Sequence, residues 1–443
     1  MKQRKLIAAG MILLCALTGC SAKGAAQPED RDIDSVSDIG TDVPQTGDEK
    51  TDSRRDHILG LTQDERLEDY DYLVKTLEDS YLCMGVRDRE NPDDLSTDIF
   101  KEYREMIEDS DSDDTFYTAV NSAIYRLGQY GHLYFIEPDT YEMYAELYKE
   151  DYEGRERWKE VLDSSVTQEG YKKAAELLKS YEEEDADGGS GSDTGKETEN
   201  IHTLLLPGGE IAYVKVDYFP IEGEETYKKD KKLLYSFYDT LEGCSDLIID
   251  ITDNGGGNEG YWQELLVSPF IDKPLSCVNY ALIADSENNR PYIENVYGDD
   301  ELIPVSELPE LPNLNRDGIE KAAYYVESVL EAEPQKYHAP FHGRIWLLVG
   351  PDVYSASESF SVFCKETGFA ALAGKSTGGD GIGALDPIFI QLPHSGLLVQ
   401  FTMMFGLNAD GSSSEEAGTV PDILSSGTEP PLVTALRAIR SAE

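Results

Sequence analysis

Positive charge is what this 443-residue chain has least of: 38 Lys and Arg stand against 87 Asp and Glu, a formal net charge of −49. A surface of that sign repels other polyanions, which excludes nucleic-acid partners. Histidine is scarce, six in all, and so is cysteine, also six. No C-x-x-C occurs and no Cys/His set has metal-ligand spacing, so no metal site is expected. The glycine run at 255–257 lacks the G-K-[ST] that a phosphate cradle needs after it. Long apolar runs are absent after residue 20, so nothing in the body of the chain reaches the length of a membrane span. What is present is ample core material, 40% hydrophobic residues, enough for two or three domains.

The first twenty residues are of a different kind. Lys2, Arg4 and Lys5 precede the apolar run "LIAAGMILLCALTG", which ends at Cys20. A short basic stretch and a short apolar one are the physical signature of an export signal. "LTGC" followed by Ser21 and Ala22 resembles the lipobox of bacterial lipoproteins, which implies a signal peptide over 1–19 and lipidation of Cys20. An ordinary signal peptide that happens to contain a cysteine is the alternative. The implied location is the extracytoplasmic face of the cell membrane, held by the lipid. Residues 20–58 are acidic and poor in large apolar side chains, an expected disordered tether. Cys83, Cys244, Cys277 and Cys364 are scattered; Cys244 and Cys364 lie among apolar neighbours and read as small core residues.

Residues 59–181 read as a helical N-terminal domain. Leu67, Tyr70, Leu73, Leu77 and Tyr81 recur at steps of three and four, and a second helix over "DTFYTAVNSAIYRLGQYGH" has Asp113 or Asp114 as its expected cap. An acidic Gly/Ser linker follows over 182–204. From 205 to 443 the texture is α/β. "EIAYVKVDYF" alternates, while "SDLIIDI" and "RIWLLVG" are continuously apolar, as strands buried on both faces are. Helical stretches lie between them, which predicts a largely parallel sheet covered by helices. The Pro- and Asn-rich segment 286–340 reads as an insertion that could cover a site.

Ser355 lies after a buried strand and at the start of a helix, where an α/β sheet presents reactive side chains and where helix N–H groups stabilise developing negative charge. Ser355 with Glu358 also spells S-x-x-E, a capping box. The residues alone leave both readings open. The second piece is "IIDITDNGGGNEG", a buried strand ending in Asp250 and a triple glycine that brings bare backbone to the sheet edge.

Taken together these stretches resemble the C-terminal processing, or tail-specific, serine peptidases. "DITDNGGG" (250–257), "SASE" (355–358), "GKSTGG" (374–379) and "GTVPDI" follow in the family's order, and "LGQYGHLYF" resembles its "L-G-D-G-H-T" turn. The resemblance implies a ClpP/crotonase-like α/β spiral core, Ser355 as nucleophile and no cofactor. Asp380 stands where the family's bacterial processing enzymes carry a catalytic lysine, and a carboxylate is a poor substitute for a neutral amine base. The chain is therefore more similar to the tricorn-like branch, which implies His132 as general acid–base and Glu415, with Glu416 beside it, as a late orienting acid. Gly131 replaces the serine of that branch, and no PDZ-like segment is recognisable. The N–H of Ala356 with that of Gly256, or a neighbour, would form the oxyanion hole.

The expected function is a lipid-anchored serine endopeptidase acting on protein or peptide substrates. The rival is an inactive peptide-binding scaffold on the same fold, which Asp380 and the Thr252–Asp253 pair favour. An esterase using the same serine is a third possibility. A short path from His132 to Ser355 would decide for catalysis.

Overall fold

The computed structural model describes residues 55–149, 154–185, 199–298, 301–383 and 386–441. The expected signal segment, Cys20, the tether through residue 54 and most of the acidic linker lie outside the described residues. Among those described, no helix is long and apolar enough to cross a membrane.

The first third is helical, as its spacing predicts: α1 (Gln63–Ser80), α2 (Met84–Glu90), α3 (Ser96–Glu108) and α4 (Asp113–Leu127) precede a two-residue strand, β1 (Tyr134–Phe135), and α5 (Pro138–Leu147), α6 (Glu156–Leu162) and α7 (Ser165–Asp185) follow it. A capping box starts α1: the Thr62 side chain accepts from the Glu65 N–H, and the Glu65 carboxylate accepts from the Thr62 N–H. Tyr70, Leu73 and Leu77 are then fully buried. The cap of α4 is Ser112, whose hydroxyl accepts from the Thr115 N–H, and not Asp113 or Asp114. Asp113 has another task. It is fully buried, accepts the Gly60 N–H at 2.7 Å, and pairs at 2.9 Å with Arg66, which is equally buried.

The remaining elements are β2 (Ile201–Leu205), β3 (Ile211–Val216), α8 (Glu225–Tyr238), β4 (Asp246–Asp250), α9 (Glu259–Tyr261), β5 (Leu275–Ala284), α10 (Arg290–Val296), β6 (Ile303–Pro304) and β7 (Ala322–Ala332). They continue with β8 (Arg344–Val349), α11 (Ala356–Thr367), β9 (Ala371–Gly374), β10 (Ile388–Gln391), β11 (Leu398–Phe401), β12 (Met404–Leu407), α12 (Ser414–Ala417), β13 (Ile423–Leu424) and α13 (Pro431–Ser441). A six-stranded sheet runs β13-β9-β8-β4-β3-β2. It is parallel except at the β2–β3 hairpin. β4 is buried at every position, as its unbroken apolar run requires. Cys244 and Cys364 are buried free thiols.

Two expectations about organisation are corrected. The segment 286–340 is not simply a cover, because β7 pairs with β5 along its whole length in a four-stranded antiparallel sheet, β12-β5-β7-β6. Nor do the helices of 59–181 close a core of their own. Leu77, Phe116, Ile124 and Trp158 share one apolar cluster with Ile283, Ile388, Leu398 and Phe401. β1 even pairs with β11, in the third sheet, β1-β11-β10. The chain boundary near the acidic linker is not a boundary in the core, and a residue at the end of α4 is thereby fixed against the C-terminal half.

Candidate active site

β8 delivers the chain to a tight turn, and Ser355 sits at its end with φ 58° and ψ −123°. Few residues other than glycine tolerate that backbone, and such strain is characteristic of side chains held for chemistry. The Ser355 side chain makes no capping bond to α11. Glu358 does not reach back either, and its Oε1 accepts from the Thr419 hydroxyl at 2.7 Å. The capping box allowed by the sequence is not built. Ala356 opens the helix, so its N–H has no intrahelical acceptor.

The glycine turn meets this serine directly. A Cβ on Gly256 would lie 2.8 Å from the Tyr354 carbonyl oxygen and 3.1 Å from both the Ala356 nitrogen and the Ser355 Cβ. Only glycine lets the two turns approach this closely. The expectation that the Gly256 N–H serves the oxyanion hole is corrected, because it donates to Asn254 Oδ1 at 2.9 Å. Asn254 is buried and held in place, donating to the Val216 carbonyl and accepting the Ser357 hydroxyl. Phe219 engages the carbonyl of Gly256 and the N–H of Asn258. That ladder leaves the N–H of Gly257, the neighbouring residue, outside its bonds.

His132 comes from the other half of the sequence. The chain leaves α4 at Gly128, and a short 3-10 turn, Tyr130–His132, carries Gly131 at φ 51° and His132 at φ 54°. The turn is clamped from three sides. The Tyr81 hydroxyl donates to the Tyr130 carbonyl at 2.6 Å, the Thr402 N–H donates to the Gly131 carbonyl at 2.6 Å, and the Glu415 carboxylate accepts the Gly131 N–H. Gly131 has no room for a side chain, since a Cβ would meet the Cys83 sulfur at 2.7 Å. That is a packing reason for glycine where the tricorn-like pattern has serine.

The imidazole of His132 packs edge-on against Tyr354, ring centres 5.3 Å apart, and its Nε2 lies 3.2 Å from Asp380 Oδ2. The Tyr354 hydroxyl donates to the Glu415 carboxylate at 3.2 Å. So His132, Asp380 and Glu415 are gathered around Tyr354, the residue whose backbone leads into Ser355. Among the described residues no hydrogen bond of the Ser355 hydroxyl is seen. Glu415 and Glu416 part company: Glu415 faces inward, whereas Glu416 pairs with Arg89 at 2.8 Å on the rim.

Two members of the cluster escaped the sequence reading. Asp380 reads in the sequence only as a lost lysine, and nothing there singles out Tyr354. Backbone strain would have marked Asp380, but strain is not written in residue type. Among the described residues three non-glycines have left-handed φ, namely His132, Ser355 and Asp380, and all three meet here.

The cluster is short of compensating positive charge, and burial dominates its titration. It lowers the His132 imidazole to about 4 and raises the Asp380 carboxyl to about 8. Glu415 is pushed well up by burial and then by Asp380, and Glu358 rises to about 7. His132 is therefore neutral at physiological pH, the state a general base requires. No group of His, Cys, Asp and Glu among the described residues could hold a metal ion.

The fold has known counterparts. A candidate peptidase from Parabacteroides merdae has the same fold at 15% identity, with 86% of this chain and 97% of that chain covered and a TM-score of 0.50. Mature CPAF complexed with lactacystin is similar at 12% identity over 82% of this chain and 93% of that one, TM-score 0.47. The photosystem II D1 C-terminal processing protease is similar at 15% identity over 85% and 97%, TM-score 0.41. No curated protein matches the sequence. Residues 210–425, which contain Ser355, Asp380 and Glu415, match the model of peptidase family S41, and the chain belongs through that domain to this family of serine-type peptidases.

Proposed function

We propose that this chain is a lipid-anchored, extracytoplasmic serine endopeptidase with Ser355 as its nucleophile. The observation that carries the reading is the convergence of three strained non-glycine residues, Ser355, His132 and Asp380, beside a glycine turn that no other residue type would fit. In this reading the Ser355 hydroxyl attacks the peptide carbonyl carbon while His132 takes its proton. The carbonyl oxygen becomes an oxyanion held by the N–H of Ala356 and by the glycine turn, with Gly257 now the better donor. The C–N bond then breaks, His132 returns the proton to the departing amine, and an acyl-enzyme remains on Ser355. Water, deprotonated by the same imidazole, releases the carboxylic acid and restores the serine. Glu415 supports the turn of His132 through Gly131 and Tyr354.

The test is hydrolysis of fluorescently labelled casein by the full chain. Wild type is expected to cleave it and Ser355→Ala is not. A wild type that binds casein without cutting it would favour the scaffold reading. The anchor rests on Lys2, Arg4, Lys5 and the "LTGC" stretch. Cys20→Ala should move the protein from the membrane fraction to the soluble one, and an unchanged distribution would reject lipidation at Cys20.

A further inference from the structure

The position of Asp380 asks for an explanation that the loss of a lysine does not give. It is one of the strained residues, with φ 54°, and it is pinned on both sides. The carbonyl of Gly379 accepts the Ser355 N–H at 3.1 Å, so the residue before Asp380 is strapped to the backbone of the nucleophile. Gly379 has no space for a side chain, since a Cβ would come within 2.4 Å of the Ser414 carbonyl oxygen, and a Cβ on Gly381 would come within 2.5 Å of the Glu358 Cγ and the Ser359 nitrogen. Between these two fixed points the Asp380 carboxylate meets His132 Nε2 at 3.2 Å, with both side chains buried. The Glu415 carboxylate accepts from the Tyr354 hydroxyl and the Gly131 N–H, and so holds the turn.

We propose that Asp380 is a positioning residue of the acyl-transfer site, holding His132 Nε2 so that the proton exchanged with Ser355 passes through Nδ1. The inference rests on the peptidase reading above. It makes Asp380 the bridge between the strap that fixes the serine and the turn that carries the base.

The chemistry follows from counting protons. Tyr354, Tyr81, Cys83, Glu358 and Glu415 surround the pair, all neutral or acidic, and Glu358 adds to the cost of ionising Asp380. Above about pH 4, where the imidazole is neutral, and up to neutral pH, the pair therefore retains the carboxyl proton. In that form the Asp380 O–H donates to Nε2, Nδ1 carries the ring hydrogen, and the imidazole cannot accept from serine. The proton that is lost comes, in balance, from Nδ1: the shared hydrogen passes to Nε2 and is donated to the ionised carboxylate, and the lone pair is then on Nδ1. Activity must then rise with pH as the pair loses its proton, about pH 8 by the Asp380 value.

The experiment is the pH profile of the fluorophosphonate labelling rate for wild type, Asp380→Asn and Asp380→Glu in the full chain. Wild type and Asp380→Glu should show an acid limb in the neutral-to-alkaline range. Asp380→Asn cannot hold the shared proton, so its limb should move to lower pH. Its plateau should fall by about 10²-fold or more, because an amide donating to Nε2 stabilises the wrong tautomer. A purely structural role would lower the plateau without moving the limb. An unchanged limb and plateau in Asp380→Asn would overturn the inference while leaving the peptidase reading intact, and so would a wild-type profile already flat from about pH 5, the range of an isolated buried imidazole. A wild type that takes no probe at any pH would overturn both.

Discussion

His132→Ala is expected to slow acylation of Ser355 by roughly 10⁴- to 10⁶-fold, with little change in substrate affinity. A serine hydroxyl is almost wholly protonated at neutral pH, and in this chain the imidazole is the group whose titration fits it to take that proton. Burial keeps His132 neutral, and Tyr354 and Asp380 fix its plane. What survives the substitution is the contribution of the Ala356 N–H and the glycine turn, which do not depend on the base. Because His132 occupies a left-handed backbone, His132→Asn is the better control for folding, asparagine being among the residues that accept such φ values. Both variants should be equally slow in single-turnover hydrolysis. A loss under tenfold in both would mean that the base is elsewhere.

The second large effect is on stability. Arg66→Ala should destabilise the protein by about 3–5 kcal/mol, because it leaves Asp113 buried and unpaired. The pair lies where α1 crosses α4, at 2.9 Å, and neither side chain is exposed. Arg66 also donates to the Leu61 carbonyl at 3.2 Å and pairs with Asp111. α4 leads directly into the turn of His132, so loosening this junction loosens the base as well. Urea denaturation of wild type, Arg66→Ala and the double variant Arg66→Met/Asp113→Ala would check it. The double variant should recover part of the loss, since it no longer buries a lone charge. If it is no more stable than Arg66→Ala, the pair is not the source of the effect.

Much of the frame was legible because it is written in apolar spacing. β4 and β8 read as buried strands from unbroken apolar runs, and α1 from its three- and four-residue steps. The parts that were not legible depend on distant partners. Asp113 resembles a helix cap in the sequence, and only the buried Arg66, forty-seven residues earlier, reveals its other role. β7 hides in a segment rich in proline and asparagine because its register is set by β5 and not by its own flanks. The shared core could not be read from a chain in which an acidic linker separates the two halves.

The site divides in the same way. Ser355 was ambiguous until its backbone was known, because S-x-x-E is a capping box wherever the serine is extended and cannot be one at φ 58°. The glycine run leaves open whether Gly256 or a neighbour offers its N–H, and the bond from Gly256 to Asn254 Oδ1 removes Gly256 from that choice. Glu415 and Glu416 are indistinguishable as neighbours in sequence, but Arg89 draws one of them to the rim. In the sequence Asp380 marks only the absence of a lysine, whereas its geometry against His132 gives it a place of its own.

The most direct test of the account is whether Ser355 is an activated nucleophile. The full chain would be treated with a fluorophosphonate probe, digested, and the modified residue located by mass spectrometry, beside Ser355→Ala and His132→Asn. The account predicts one adduct, on Ser355, absent from Ser355→Ala and formed at least about 10³-fold more slowly in His132→Asn. A folded wild type that takes no probe, or an adduct on another residue, would contradict it.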